Sequence, residues 1–344
     1  MPRLTVIGPS GGSSHDGGRH PERPARIGAV MKSVEDVGRQ LGSDLQVVAA
    51  EPAEMAAIER VHDARYVESV RALCSSGGGH IDPDTYVRAD SWEAALRSAG
   101  AGLQAVELLR AAQAGVGFVA TRPPGHHALA SRGMGFCLFN NVAVAARSLA
   151  DAGERVVIVD WDVHHGNGTQ DIFWDDPRVL YISTHQWPLY PGTGRVEEVG
   201  GPSAWGLTVN VPLPVGSTGD AVRAALSEVA APVVESFAPT WVLVSAGYDA
   251  HRDDPLAELS LSAGDFGLLA RDVAAWAPAD GRMVLFLEGG YDLDALHGSV
   301  AATLGELGGL GSASAGGEAP TAGVGLEVVE RVRQRRAQSL DGAK

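Results

Sequence analysis

Cysteine is nearly absent: only Cys74 and Cys137 occur in 344 residues, with no CxxC pair. A disulfide framework and a cysteine-held zinc site are both excluded as organising devices. No apolar run approaches the ~18 residues that a membrane-spanning helix needs. The opening MPRLTVIGPS lacks the basic start and long apolar stretch of a secretory signal. A cytoplasmic protein without a membrane partner is therefore expected. Basic residues are scarce, 27 Lys and Arg against 42 Asp and Glu, for a formal net charge of −15. Nucleic acid is excluded as the expected partner, because phosphate binding needs a basic surface. The acidic excess suits cationic substrates, and it is also a common route to solubility. No internal repeat is present.

What is there is ordinary globular material, 45% hydrophobic and 20% charged. Five β-rich runs stand out: GVGFVAT (115–121), RVVIVD (155–160), VLYIST (179–184), WVLVSA (241–246) and RMVLFLE (282–288). Each is continuously apolar rather than alternating, as in strands covered on both faces. Between them lie stretches with helical spacing at 92–114, 141–152, 220–237 and 262–277. Ser262 suits an N-cap, whereas Asp265 three residues on is a poor match to a capping box. Strand alternating with helix predicts an α/β fold, an open, mostly parallel sheet with helices on both faces. The Gly-rich stretch 308–325 reads as a flexible linker after a catalytic domain 1–307, and 326–344 reads as an amphipathic helical tail.

The unusual polar clusters each follow a predicted strand. RPPGHH follows the first, DWDVHHGNG ends the second, STHQ the third, AGYD the fourth and EGGYD the fifth. In an open parallel sheet these ends share one edge, where ligands bind, so the clusters should converge. Asp162 and His164 are two apart at a strand end and can point the same way. Asp249 from another strand end could complete a set of two carboxylates and one imidazole. Such a set suits Zn²⁺ or Fe²⁺, and three protein ligands leave a position open for chemistry. His126 and His127 follow a rigid Pro-Pro-Gly turn and titrate in the range needed to move protons. Tyr291, after two glycines, could set a phenol against a polarised carbonyl. Water, metal, base and oxyanion donor together describe a metal-assisted amide hydrolase. Phe136 beside Gly135, and Tyr190 beside Pro191, read either as walls of an apolar channel or as core packing; spacing does not choose between them.

RPPGHHA, GFCLFNN, VDWDVHHGNGTQDIF, YPGTG, AGYDAHRDDPLA and LEGGYDL resemble the histone deacetylase superfamily. More narrowly, they resemble its class II branch and the bacterial histone deacetylase-like amidohydrolases, close to the acetylpolyamine amidohydrolases. HPERPARI (20–27) and DPDTYV (82–87) fit the same branch, and the resemblance runs from about residue 15 to 305.

The resemblance implies a single arginase-like α/β domain, with zinc under a narrow tunnel. By it Asp162, His164 and Asp249 bind the metal, and His127 is the general base and acid. His126 is its electrostatic partner, held by Asp160, and Tyr291 polarises the acyl carbonyl. Gly135, Phe136, Tyr190 and Leu256 become tunnel positions, and Arg26 resembles the arginine of an internal product channel. Structural K⁺ is implied near Asp160, Asp162, His164 and Ser183. Asp82 or Asp84 matches a rim aspartate that grips substrate backbone. His165 and His185 stand behind the ligands rather than among them.

Three positions discriminate within the family. Asn167 stands where class I enzymes have an aspartate. A neutral amide stabilises an imidazolium less, so His127 is expected to rest neutral. Tyr291 stands where weakly active vertebrate relatives have histidine. Leu256 replaces the gatekeeping glutamate of a polyamine-selective vertebrate relative. The expected activity is zinc-dependent hydrolysis of N-acetyl-lysine, in a peptide or protein, with acetylated polyamine as the alternative substrate. Arginase-like ureohydrolysis and a silent acyl-lysine binder are the weaker readings. Assembly into a homo-oligomer is compatible with the resemblance.

Overall fold

The structure, a computed structural model, describes residues 3–9, 15–311 and 318–341. Its strands in chain order are Leu4–Gly8 (β1), Leu45–Ala49 (β2), Gly78–His80 (β3), Tyr86–Arg88 (β4), Val116–Val119 (β5), Val156–Asp160 (β6), Val179–Gln186 (β7), Thr208–Leu213 (β8), Trp241–Ala246 (β9) and Met283–Leu287 (β10). Eight of them form one sheet in the order β2-β1-β5-β10-β9-β6-β7-β8, while β3 and β4 make a separate hairpin. Every pairing in the large sheet is parallel.

The apolar runs are continuous because both faces of the sheet are covered. In β6, Val157 and Val159 enter one core and Val156 and Ile158 the other. The first core takes Val30, Val34 and Val37 from the helix Ala25–Leu41, and Phe266 and Leu269 from Ala263–Ala274. It also takes Leu296 and Val300 from Leu293–Leu307. The second core takes its cover from Ala64–Ser75, Ser91–Ala112 and Asn141–Asp151.

All five expected strands are present, and β1, β2 and β8 join them. These three lie at or next to a sheet edge. β2 is half exposed, and β8 carries Asn210 and Pro212, so neither looks like a buried run. The expected helix 220–237 is broken into Gly219–Ala224, a π-helical stretch Ala225–Ala230 and Ala231–Phe237. The widening lies just ahead of Pro232, which cannot donate to the ladder. One expectation fails outright: Ser262 and Asp265 do form a capping box. The shorter carboxylate closes it at 2.9 Å from the Ser262 N–H, and Thr321 pins the same carboxylate from outside.

The stretch expected to be a linker lies partly outside the described residues, at 312–317. Its described part is tied down. Thr321 bonds Asp265 and the Gly219 N–H, and Val324 bonds Thr218. The tail helix Leu326–Asp341 follows, with Val329 and Val332 in the first core. Arg336 is buried beneath it and donates to the carbonyls of Thr208 and Gly206. No helix among the described residues is long and apolar enough to cross a membrane.

Candidate active site

Parallel pairing puts the carboxyl ends of β5, β6, β9 and β10 on one edge, and the polar clusters meet there. Asp162 and His164 leave the end of β6, and Asp249 leaves β9. Their potential ligand atoms all lie within 4.8 Å of one another. His164 Nδ1 is 3.1 Å from Asp162 Oδ1 and 3.2 Å from Asp249 Oδ2. Each carboxylate is held from behind by a backbone N–H, Gly289 to Asp162 Oδ2 and Val163 to Asp249 Oδ1. The inward Asp249 Oδ2 is buried and accepts no hydrogen bond. Two buried carboxylates facing one imidazole leave an excess of negative charge, which a cation at this point would offset. The donor set fits a borderline divalent ion. Burial opposes charge on His164, but Asp162 and Asp249 outweigh it and push its pKa up to about 10.

The two histidines stand beside this group, their ring centroids 4.0 Å apart. His126 Nδ1–H donates to Asp160 Oδ2 at 3.0 Å, and the Tyr181 hydroxyl donates to the same oxygen. Burial again opposes charge, yet Asp160 and Asp162 push His126 up to about 10. His127 Nδ1–H donates to Asn167 Oδ1 at 2.8 Å, which leaves the lone pair on Nε2. Its pKa is held well below the usual imidazole value, first by burial and then by the charges of His126 and His164. Burial, more than the amide of Asn167, therefore keeps this ring neutral.

Tyr291 follows Gly289 and Gly290 at the end of β10 and is nearly buried. Burial holds its phenol well above the usual value, so the proton stays on. Arg26, fully buried, lies 4.9 Å over the ring. It donates to the carbonyls of Gly290 and Glu288 and so grips the backbone that presents Tyr291.

A cavity of about 210 Å³ opens onto these groups. Gly135, Phe136, Tyr190 and Leu256 all line it, together with His127, His164 and Tyr291. The alternative of core packing for Phe136 and Tyr190 is thereby set aside. Gly135 has φ +56°, and a Cβ there would collide with the His127 ring, so only glycine serves. Asp84 rather than Asp82 faces the cavity; Asp82 instead accepts from the Asp84 and Thr85 N–H groups and shapes the turn. Ser183 lies opposite Asp160 in the β6–β7 register, with its hydroxyl 2.9 Å from His185 Nδ1. His165 bonds Thr193 and Gln170 and is not part of the ligand group.

Several site residues went unread in the sequence. Glu288 accepts from the Gly125 and His126 N–H groups and from the Ser245 hydroxyl, and so holds the histidine turn. Burial pushes its carboxyl up to about 7. Asp254 accepts from the N–H groups of Leu256 and Tyr291; burial and then Asp249 push it up to about 7. Glu22 is fully buried between Arg122 and Arg26. All three lie inside motifs quoted above, EGGYD, HRDDPLA and HPERPARI. Glu288 and Asp254 spend their oxygens mostly on backbone N–H groups, which no spacing rule exposes, whereas Glu22 has one partner at i+4, Arg26, and one far along the chain, Arg122.

A family model described as the histone deacetylase domain matches residues 20–307. The rice protein "Histone deacetylase 10, chloroplastic" is 43% identical over 309 residues, covering 84% of this chain and 70% of that one. A "Probable deacetylase" of Archaeoglobus fulgidus is 40% identical over 280 residues, covering 80% and 77%. The "Histone deacetylase-like amidohydrolase" of Pseudomonas aeruginosa is 40% identical over 266 residues, covering 76% and 70%. Among solved structures, the HDA15 HD domain superposes with a TM-score of 0.87 at 32% identity, covering 100% of this chain and 98% of that one.

Proposed function

The chain belongs to the histone deacetylase family, and on that premise we propose that it is a zinc-dependent deacetylase that cleaves the amide of N-acetyl-lysine to acetate and free amine. The observation that carries this reading is the convergence of Asp162, His164, Asp249, His127 and Tyr291 around one cavity of about 210 Å³. Asp162, His164 and Asp249 would hold the zinc, with Fe²⁺ as the other ion this donor set suits. When bound, the ion would polarise the acyl carbonyl and make water acidic enough to attack at neutral pH.

The remaining work falls to the chain. His127, neutral and with its lone pair on Nε2, takes the proton of the attacking water and returns it to the departing amine. His126 stays charged through Asp160 and balances the negative charge that develops beside it. The Tyr291 phenol, kept protonated, donates to the oxygen of the acyl group as that oxygen gains charge. The lysine methylenes lie between Phe136, Tyr190 and Leu256, and Asp84 at the mouth accepts a substrate N–H. Arg26 would border the route by which acetate leaves, and K⁺ near Asp160, Asp162, His164 and Ser183 belongs to the same reading.

Acetylated polyamine is the second reading. The carboxylate of Asp84 at the cavity mouth suits a cationic chain as well as a peptide N–H. Turnover of zinc-loaded protein on an acetyl-lysine peptide and on acetylputrescine, each with and without a hydroxamate, separates the two. The expected result is hydroxamate-sensitive hydrolysis that favours the peptide. Preference for the polyamine would replace the substrate, and no hydrolysis of either would sink the reading.

A further inference from the structure

The Tyr291 hydroxyl makes no hydrogen bond with any described residue, so nothing grips it at its tip. Two glycines precede it, and Gly290 has φ +118°, a conformation that leaves the chain few side-chain restraints. The aim of the phenol therefore comes from contacts to its ring, Arg26 over the face and Phe136 against it, and from its backbone. On the carbonyl side that backbone is held by Arg26. On the N–H side it is held by Asp254.

Asp254 is buried, with 6% of its surface exposed, and no basic side chain pairs with it among the described residues. Its Oδ2 accepts from the Tyr291 N–H at 2.7 Å and from the Asp292 N–H at 3.4 Å. Its Oδ1 accepts from the Leu256 N–H at 3.0 Å. One carboxylate thus joins two loops from different strands. The loop after β9 carries the ligand Asp249 and the tunnel wall Leu256. The turn after β10 carries Tyr291. One side chain thus supplies the acceptors for both loops.

We propose that Asp254 is a positioning residue for the reaction: its carboxylate fixes the Tyr291 phenol and the Leu256 wall relative to each other, so that the acyl oxygen and the substrate chain are met in one geometry. This inference rests on the reading above, in which Tyr291 donates to the acyl oxygen. Asp254 belongs to neither the cavity lining nor the candidate ligand group, and it acts only through the two backbones. Misplacing a catalytic group by about an ångström costs up to ~10²-fold in rate.

The test is a double-mutant comparison on the full-length, zinc-loaded protein. Asp254→Asn keeps the shape but has one oxygen, so an N–H of one loop meets an amide NH₂. We expect kcat to fall ~10–10²-fold with a smaller change in KM, while each chain keeps one zinc. Combined with Tyr291→Phe, Asp254→Asn should cost less than about threefold more, because a misaimed phenol and an absent one are equivalent. Hydroxamate affinity, measured by calorimetry, should show the same non-additive pattern. Losses that multiply, or an unchanged kcat in Asp254→Asn, would overturn the proposal. If the asparagine variant does not fold, Asp254→Ser, which also retains one acceptor, gives the same comparison. A wild-type protein that hydrolyses neither acetylated substrate, yet shows non-additive hydroxamate affinities, would refute the substrate reading and leave the clamp standing.

Discussion

On the proposed reading, two oxygens carry most of the chemistry at this site, the phenol of Tyr291 and the inward Oδ2 of Asp249. Tyr291→Phe removes the first and nothing else. We expect kcat to fall ~10²–10³-fold with zinc content unchanged; unchanged turnover in zinc-loaded protein would refute the assigned role. Asp249→Ala removes the second and leaves only Asp162 and His164 facing the metal position. Stoichiometric zinc should then be lost on dialysis, and its retention would show that another residue is the third ligand. These residues were legible because each carries its chemistry in its own side chain and sits at a strand end. Glu288 and Asp254 were not legible. Their carboxylates are spent on N–H groups of other loops, and a backbone N–H leaves no mark in a sequence.

Among the elements, the tail helix lies where its amphipathic pattern puts one, and its apolar side is buried: Val329 and Val332 lie in the same core as the strands. Arg336 shows why the attachment is firm. It is buried, burial lowers its pKa only to about 10, and its partners are the carbonyls of Thr208 and Gly206 on the run into β8. Arg336→Met leaves those carbonyls without a donor and should cost roughly 1–3 kcal/mol. Thermal unfolding would show it as a drop of a few degrees in Tm, and an unchanged Tm would mean that the carbonyls find water. The capping box at Ser262 makes a related point. The aspartate is a poor match to the motif, but its carboxylate is also pinned by Thr321 from the arm that leads into the tail. A motif judged on local spacing omits a partner from elsewhere in the chain.

For the whole molecule, buried titratable groups set the response to acid. Burial disfavours the Glu22 carboxylate, but Arg122 and then His15 and Arg26 outweigh it and hold the pKa down at about 2. Burial lowers His15 and His62 to about 4. Each of these pKa values lies below its unfolded counterpart, so the unfolded chain binds more protons as pH falls. The histidine contributions are lost between about pH 6.5 and 4, and that of Glu22 between about 4.5 and 2. At ~1.4 kcal/mol for each tenfold, Glu22 alone contributes roughly 3 kcal/mol at neutral pH. Glu288 and Asp254, pushed up to about 7, act in the opposite direction between about pH 7 and 4.5, so the urea midpoint should fall steeply only below about pH 4.5. Glu22→Gln should flatten the part below pH 4.5 and lower stability at pH 7 by roughly 3–5 kcal/mol, since it leaves buried guanidinium charge beside a neutral amide. A wild-type midpoint independent of pH below about 4.5 would contradict the Glu22 assignment.

The sequence by itself determined the parallel α/β architecture, because strands covered on both faces must be apolar throughout. It also determined the edge where the polar clusters meet, because the carboxyl ends of parallel strands face one way. The convergence of Asp162, His164, Asp249 and both histidines follows from that edge. Only the tertiary structure decided what holds them at the right angles: Glu288 under the histidine turn, Asp254 between two loops, Arg26 on the carbonyls beside Tyr291. It alone chose Asp84 over Asp82 for the cavity mouth and drew the tail into the core. The physical reason is the same in each case. Periodicity and residue type record what a side chain prefers, whereas these contacts join groups far apart in the chain, often through backbone atoms that every residue shares.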